Sequence, residues 1–192
     1  MQLIIISGRS GSGKSTALHQ LEDEGYYCID NLPVSLLPSL VDKASREEFG
    51  HFRGTAVCID ARNAWKDLAN FGKVMEELPE SVNSEVLFLD AQESALIKRF
   101  SETRRKHPLS SDTMPLAEAI DQERLLLEPI SIAASLVLDT SEMTIYELRD
   151  AIKQRLLGAE SGSMSVLIQS FGFKRGVPTD ADLVFDVRML PN

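Results

Sequence analysis

A short apolar run that leads directly into a glycine-rich loop constrains this chain more than any other feature of its sequence. Leu3–Ser7 reads LIIIS, as expected of a strand buried on both faces. The next residues, Gly8–Ser15, read GRSGSGKS and match the pattern G-x-x-x-x-G-K-[ST] at each required position. Helical spacing begins at Lys14, so the loop joins a strand to a helix. This context predicts a phosphate-binding loop.

Each residue type in such a loop has its own task. The glycines let backbone N–H groups face phosphate oxygens, and the helix N-terminus adds the positive end of its dipole. Lys14 is expected to reach the β- and γ-phosphates and to act in catalysis, and the Ser15 hydroxyl is expected to help hold Mg²⁺. The predicted phosphate contacts come from Gly8, Arg9, Ser10, Gly11, Ser12, Gly13, Lys14 and Ser15.

The following residues alternate between apolar strands and amphipathic helices. Further strands are predicted at 26–30, 55–60, 85–90 and 135–139. A single helix is expected from Trp65 to Leu78. A capping box, Thr144–Glu147, opens a later helix that is expected to turn Ile145, Leu148 and Ile152 inward. Strands separated by helices indicate an α/β fold of the P-loop NTPase or kinase type, a parallel sheet with helices on both faces.

The composition changes near residue 158. Residues 158–165 are rich in glycine and serine and predict a linker. Two strand-like runs follow, Val166–Phe173 and Leu183–Met189, in a segment too short to bury a core alone. We predict a P-loop domain over residues 1–157 and the beginning of a second, truncated α/β domain over residues 166–192. The alternative is a β-rich appendix to the first domain.

Charge and cysteine usage exclude several classes of protein. The chain has 20 Lys and Arg against 29 Asp and Glu, a net charge of −9, which argues against a protein that coats nucleic acid. Cys28 and Cys58 lie in apolar runs and are predicted to be buried, reduced thiols. The N-terminus lacks the pattern of a signal peptide, and no apolar run reaches the roughly 20 residues of a membrane span. We expect a cytoplasmic protein without membrane contact.

Three aspartates close predicted strands: Asp30, Asp60 and Asp90. The carboxyl ends of parallel strands line the ligand crevice of such a sheet, and one carboxylate there is expected to hold Mg²⁺, directly or through water. We favour Asp60, which Arg62 and Asn63 follow, as the catalytic and metal-binding carboxylate. Each of the three can instead be a plain strand-end or helix-capping residue.

A basic stretch precedes a polar connection that covers residues 107–115. Its cations are Lys98, Arg99, Arg104, Arg105 and Lys106. Two interpretations stay open. The stretch is either part of a lid that closes on the γ-phosphate, or a solvated helix end whose cations favour the negative end of the helix dipole.

Several longer motifs identify a family. They are the run at 8–40, DARN (60–63), LFLDA (87–91), RFSETRRKHPLS (99–110), LVLDTSEM (136–143), SFGFKRGVP (170–178) and DLVFDVRMLPN (182–192). With them the chain strongly resembles the RapZ/YvcJ family of bacterial P-loop proteins, known as RNase adapter proteins. The resemblance covers essentially the whole chain.

The resemblance implies ATP at the glycine-rich loop and a second nucleotide segment, associated with GTP, at Asp60, Ala61, Arg62 and Asn63. It implies Mg²⁺, weak hydrolysis, and an adapter role in which a small regulatory RNA is presented to an endoribonuclease that tunes amino-sugar synthesis. Family members continue beyond residue 192. The resemblance places most RNA contact in that following part, and self-association through it stays open.

Two other functions remain compatible with the residues themselves. The first is a small-molecule kinase of the P-loop class, in which Asp30 would orient an acceptor hydroxyl. The second is a binding module whose loop no longer hydrolyses nucleotide.

Overall fold

Five parallel strands form one sheet at the centre of the structure. The computed structural model describes residues 1–46, 52–158, 168–178, 181, 183–186 and 188. The strands are β1 (Gln2–Gly8), β2 (Tyr27–Ile29), β3 (Thr55–Cys58), β4 (Asn83–Asp90) and β5 (Leu136–Asp139). Their spatial order is β2-β3-β1-β4-β5, and each neighbouring pair is parallel. The predicted α/β class is confirmed.

Helices connect successive strands. They are α1 (Lys14–Asp23), α2 (Leu37–Ser45), α3 (Trp65–Ala69), α4 (Phe71–Glu76), α5 (Glu93–Thr103), α6 (Leu116–Ile132) and α7 (Ile145–Ile152). A 3₁₀ turn, Val34–Leu36, precedes α2, and a π-helical turn, Lys153–Leu157, extends α7. The predicted capping box is present at the start of α7. None of the described helices has both the length and the apolar character that crossing a membrane requires.

Apolar side chains cover both faces of the sheet, and the central strand β1 contributes to both. Ile4 and Ile6 pack in the cluster formed with α1 and α7, whereas Leu3 and Ile5 pack in the cluster formed with α2, α3, α4 and α6. All of these side chains are fully buried. Burial of a side chain of this size contributes about 1.5–3 kcal/mol. The strand that carries the glycine-rich loop is therefore among the most firmly held parts of the fold.

Two helix predictions need correction. The single helix expected from Trp65 to Leu78 is broken at Asn70, whose side-chain amide donates to the Lys66 carbonyl (2.9 Å) and so competes with the helical backbone. Trp65 is the first residue of α3 and is 65% exposed. The prediction that Ile145 faces inward is also wrong, because its side chain is 61% exposed. It is the first residue of α7, and the buried face of that helix begins one turn later at Leu148.

The strands predicted after the linker do not form in the described part of that segment. Residues 168–173 and 183–186 contain no strand, and Phe173–Arg175 is a 3₁₀ turn. An apolar run becomes a strand only when another strand pairs with its backbone. The described sheet consists of β1–β5 alone, so these residues have no such partner in it. The other residues of both runs, and most of 158–165, lie outside the described residues. The domain boundaries stay a prediction.

Candidate functional site

Close packing holds the loop between β1 and α1 in one shape. A Cβ atom on Gly8 (φ 140°) would lie 2.0 Å from the Leu89 carbonyl oxygen, and one on Gly13 (φ 108°) would lie 2.5 Å from Leu148 Cδ2. A side chain at either position requires a shift of the surrounding structure, so both positions require glycine. Gly13 directly precedes α1, and the positive end of that helix therefore opens onto the loop.

Lys14 binds carbonyl oxygens in the first half of the loop. Its Nζ donates to the carbonyl of Gly8 (2.6 Å) and to that of Arg9 (3.1 Å). The backbone carbonyls are thereby held by a cation, as expected where the N–H groups of the same loop serve to bind an anion. The ammonium group is thus bound by the first two residues of the loop.

Arg99 supports the second half of the loop. Its guanidinium donates to the Gly11 carbonyl (2.9 Å) and to the Thr140 hydroxyl (3.1 Å), and the Thr140 hydroxyl in turn donates to the Ser12 carbonyl (2.9 Å). Arg99 is therefore bound in the structure and is not one of the exposed cations of a lid. The other members of the basic stretch are exposed, namely Lys98, Arg104, Arg105 and Lys106.

Asp90 pairs with an arginine from the loop. Arg9 Nε donates to Asp90 Oδ1 at 2.6 Å, and the same guanidinium donates to the Ala91 carbonyl. Arg9 is buried. The second residue of the loop is thus fixed to the end of β4, and the Asp90 carboxylate is already engaged.

Asp60, just after β3, is held by Arg62. Arg62 Nη2 donates to Asp60 Oδ2 at 2.6 Å, Nε donates at 2.9 Å, and the Arg62 backbone N–H donates to Oδ1 at 2.9 Å. The Asp60 side chain is 7% exposed and that of Arg62 is 47% exposed. Burial raises the pKa of the Asp60 carboxyl, but the hydrogen bonds from Arg62 and the charge of Lys14 bring the pKa below its usual value. The carboxylate is therefore ionised at neutral pH.

Asp30 and Cys58 lie beside Asp60. One ligand atom from each of the three residues lies within 4.8 Å of the others. Burial raises the pKa of the Cys58 thiol to about 12, so the thiol stays protonated at neutral pH. Mg²⁺ takes oxygen ligands rather than thiols. The carboxylates, with the Ser15 hydroxyl at the start of α1, are the donor types that fit Mg²⁺.

The cysteine prediction is confirmed for Cys58 and only partly for Cys28. Both thiols are free, and Cys58 is buried whereas Cys28 is half-buried on the edge strand β2. Burial raises the pKa of the Cys28 thiol to about 11. Neither thiol is activated as a nucleophile.

The remaining residues of the 60–63 segment have structural contacts. Ala61 is buried in the core, and the side-chain oxygen of Asn63 accepts a hydrogen bond from the Val34 backbone N–H (2.9 Å). Both were predicted to contact nucleotide, and that role stays a prediction. Arg62 is the member of the segment with the most exposed polar group.

Glu123 on α6 is a site residue that the sequence analysis missed. Its two carboxylate oxygens accept hydrogen bonds from the Ser10 backbone N–H (2.7 Å) and the Ser10 hydroxyl (2.7 Å). Glu123 Oε2 also lies 3.0 Å from His107 Nε2, and both side chains are fully buried. Burial raises the pKa of Glu123, but the bond from His107, the charge of Lys14 and the bonds from Ser10 bring it below its usual value.

A sequence signal for Glu123 exists in the spacing of α6. Ile120, Glu123, Leu127 and Ile130 recur at helical spacing, and all are buried. An acidic residue at a position that helical periodicity assigns to the apolar face is rarely buried without a partner. The sequence could therefore have indicated a buried carboxylate, but not that Ser10 and His107 would bind it.

The sheet order and the glycine-rich loop together define a P-loop kinase-like fold, and solved structures agree. The structure is similar to a sugar kinase from Janibacter sp. HTCC2649, with a TM-score of 0.50, 18% identity and coverage of 82% of this chain and 93% of that chain. It is also similar to shikimate kinase from Bacteroides thetaiotaomicron, with a TM-score of 0.51, 14% identity and coverage of 82% and 98%. At these identities the likeness shows the fold alone.

Comparison at the level of sequence identifies the family. The family model of the RapZ-like N-terminal domain matches residues 1–160, and that of the RapZ C-terminal domain matches residues 164–192. The chain is 54% identical to a nucleotide-binding protein of Hahella chejuensis and 56% identical to one of Pseudomonas paraeruginosa, in each case over 100% of this chain and 68% of the relative. This chain belongs to the RapZ family.

Proposed function

We propose that this chain binds a nucleoside triphosphate, ATP or GTP, with Mg²⁺ at the loop Gly8–Ser15, and that it is a regulatory nucleotide-binding protein. The observation that carries this proposal is the loop itself. Its carbonyls are bound by Lys14, Arg99 and Thr140, and it leads directly into the N-terminal turn of α1. Relatives at 54% and 56% identity are named nucleotide-binding proteins, which supports the proposal.

Within this proposal the residues of the site have separate roles. Lys14 contacts the β- and γ-phosphates, and Ser15 and Asp60 hold Mg²⁺, which neutralises phosphate charge when bound. Because Mg²⁺ and Arg62 both bind the Asp60 carboxylate, Mg²⁺ would weaken the hold of Asp60 on Arg62. The half-exposed guanidinium of Arg62 is then the part of the 60–63 segment able to reach a phosphate oxygen.

The same contacts favour slow hydrolysis over efficient phosphoryl transfer. Asp60 is paired with Arg62 and Asp90 with Arg9, so neither carboxylate is free to accept a proton from water or from an acceptor hydroxyl. Asp30 is more exposed and is the residue on which a small-molecule kinase would depend. We propose regulation as the main role because the buried Asp60 and the partly exposed Asp90 are both already paired with arginines.

Membership of the RapZ family supports proposed partners. We propose that the whole protein binds a small regulatory RNA and presents it to an endoribonuclease in the cytoplasm. The chain spans about two thirds (68%) of the length of the relatives named above.

Calorimetric titration with ATPγS and GTPγS in the presence of Mg²⁺ tests the nucleotide proposal. Wild type should bind both nucleotides, and Lys14→Ala should bind them much more weakly. The control Lys66→Ala removes an exposed lysine outside the loop and should bind them as wild type does. A subsequent titration with a small structured RNA tests the partner. Release of ADP that accelerates on addition of a sugar or shikimate would favour the kinase instead.

A further inference from the structure

The buried carboxylate of Glu123 lies at one particular end of the glycine-rich loop. Lys14 Nζ binds the carbonyls of Gly8 and Arg9, and Glu123 binds the N–H and hydroxyl of the next residue, Ser10. The lysine of such a loop serves the β- and γ-phosphates. Glu123 therefore stands where the outermost phosphate of a bound nucleotide is expected. Lys14 and Glu123 thus bind three consecutive residues at the start of the loop, and the charge of Lys14 contributes to holding the pKa of Glu123 below its usual value.

The same carboxylate holds His107, which directly follows the exposed residues Arg104, Arg105 and Lys106, here named the basic segment. His107 Nδ1 accepts a hydrogen bond from the Leu109 backbone N–H (3.1 Å), which assigns the ring proton to Nε2. Nε2–H then donates to Glu123 (3.0 Å). The His107 ring also packs on Phe100, with centroids 5.2 Å apart.

We propose that Glu123 detects the outermost phosphate of a bound triphosphate and, through His107, changes the position of the basic segment. The inference rests on the proposed function, namely that a nucleotide occupies the loop. It predicts that the basic segment takes a different position with a bound triphosphate than with a bound diphosphate. It makes Glu123 and His107 positioning residues for the basic segment.

The physical reason is competition between two anions in a buried place. A third phosphate brings negative charge next to a carboxylate that is already ionised, and like charges repel strongly where water is excluded. The Ser10 N–H can donate a full hydrogen bond to the carboxylate or to the phosphate, but not to both at once. When Glu123 moves off Ser10, His107 loses its buried acceptor and no longer holds the basic segment in place. A diphosphate ends short of Glu123 and leaves the pair intact.

The test compares Glu123→Gln with Glu128→Gln, which removes an exposed carboxylate from the same helix. Calorimetry measures the affinity for ADP and for ATPγS with Mg²⁺. Trypsin, which cuts after arginine and lysine, measures the exposure of the basic segment in each complex by the rate of cleavage after Arg104, Arg105 and Lys106.

In wild type and in Glu128→Gln, ATPγS should change the cleavage rate of the basic segment relative to ADP. In Glu123→Gln the two nucleotides should give the same rate. In that variant the ratio of ATPγS affinity to ADP affinity should be about tenfold higher than in wild type, because the repulsion of the third phosphate is removed. Equal weakening of both nucleotides would mean that Glu123 only supports the loop, and would overturn the inference.

His107→Gln provides a second measurement that keeps the charge of Glu123. Its ratio of ATPγS to ADP affinity should equal that of wild type, while cleavage of the basic segment should no longer depend on the nucleotide. If cleavage in His107→Gln still depends on the nucleotide, the inference is overturned. This result decides the question even if Glu123→Gln does not fold. If wild type binds both nucleotides but shows one cleavage rate, the inference alone is wrong. If wild type binds neither nucleotide, the proposed function is wrong and the inference with it.

Discussion

Two carboxylates near the glycine-rich loop are each paired with a basic side chain, and the two pairs differ in burial. Glu123 and His107 both have side chains that are fully buried. In the other pair Asp60 is 7% exposed but Arg62 is 47% exposed. The charge of Lys14 lowers the pKa of both carboxyls. The first pair is enclosed by protein, whereas the second has one partner that water reaches.

This difference in burial determines which pair can exchange partners more easily. A half-exposed guanidinium that leaves a carboxylate is solvated at once, so the exchange costs little. A buried imidazole that leaves a buried carboxylate loses its partner without gaining water, so its release requires a competing interaction. The exposed pair is therefore suited to take part in ligand binding, and the buried pair is suited to change only when a strong ligand charge arrives.

Removal of the buried carboxylate should have the largest effect. Glu123→Ala leaves His107 Nε2 and the Ser10 N–H without an acceptor, and we expect the free energy of unfolding to fall by about 3–5 kcal/mol. Urea denaturation measures it, with Glu128→Ala as the matched control on the surface of α6. A loss as small as that of the control would show that the two pairs do not differ in the way described.

Removal of Lys14, whose charge contributes to lowering the pKa of both Asp60 and Glu123, should have the next largest effect. Lys14→Ala should weaken ATPγS binding about 10- to 100-fold, because hydrogen bonds to charged groups contribute about 1.5–3 kcal/mol. The melting temperature should change little, since the lysine is not part of the core. Calorimetry measures the affinity and circular dichroism the fold, and an unchanged affinity would remove Lys14 from the proposed site.

Removal of the exposed arginine should cost less than removal of Glu123. Arg62→Ala leaves the buried Asp60 carboxylate without its guanidinium partner, and we expect the free energy of unfolding to fall by about 1–3 kcal/mol. The loss is smaller than for Glu123→Ala because water can enter the place of the half-exposed Arg62 side chain. Urea denaturation of this variant and of Glu123→Ala under identical conditions gives the contrast directly. A loss comparable to that of Glu123→Ala would mean that Arg62 is a structural residue and is not available to a ligand.

The smallest expected effect is a difference between wild type and Glu123→Gln in how the free energy of unfolding depends on acidic pH. Because the folded pKa of Glu123 lies below its ordinary value of 4.5, its ionised form stabilises the protein fully above that pH. This contribution is lost as the pH falls from 4.5 towards the folded pKa, so wild type should lose stability faster than Glu123→Gln over that interval. Urea denaturation at several acidic pH values measures both curves. Parallel curves would contradict the direction of the shift.

Local patterns in the sequence were enough for much of the fold. The loop at Gly8–Ser15, the capping box at Thr144 and the sheet with helices on both faces follow from spacing along the chain. The pairs Arg9–Asp90 and Ser10–Glu123 join residues far apart in sequence, and they depend on β4 lying beside β1 and on the rotation of α6. Spacing along the chain indicates neither contact, so the sequence alone leaves Asp90 open as a metal ligand and does not place Glu123 at the site.

The strands predicted after the linker are wrong in the described residues for a related reason. The apolar run at 183–185 satisfies the pattern of a strand, but the described sheet offers these residues no neighbour. Likewise, Ile145 satisfies the helical spacing of α7 and is exposed because it is the first residue of the helix. In both cases the pattern was present and the tertiary partner was not.

The central position of β1 has a consequence for how ligand binding can be observed. The loop continues from a strand that pairs with β3 on one side and β4 on the other, so the binding conformation of the loop depends on the intact sheet. A ligand that binds only the native state raises the unfolding temperature in proportion to the logarithm of its concentration over its dissociation constant. Thermal-shift screening of nucleotides should therefore report occupancy of the loop as a single cooperative transition of the whole sheet.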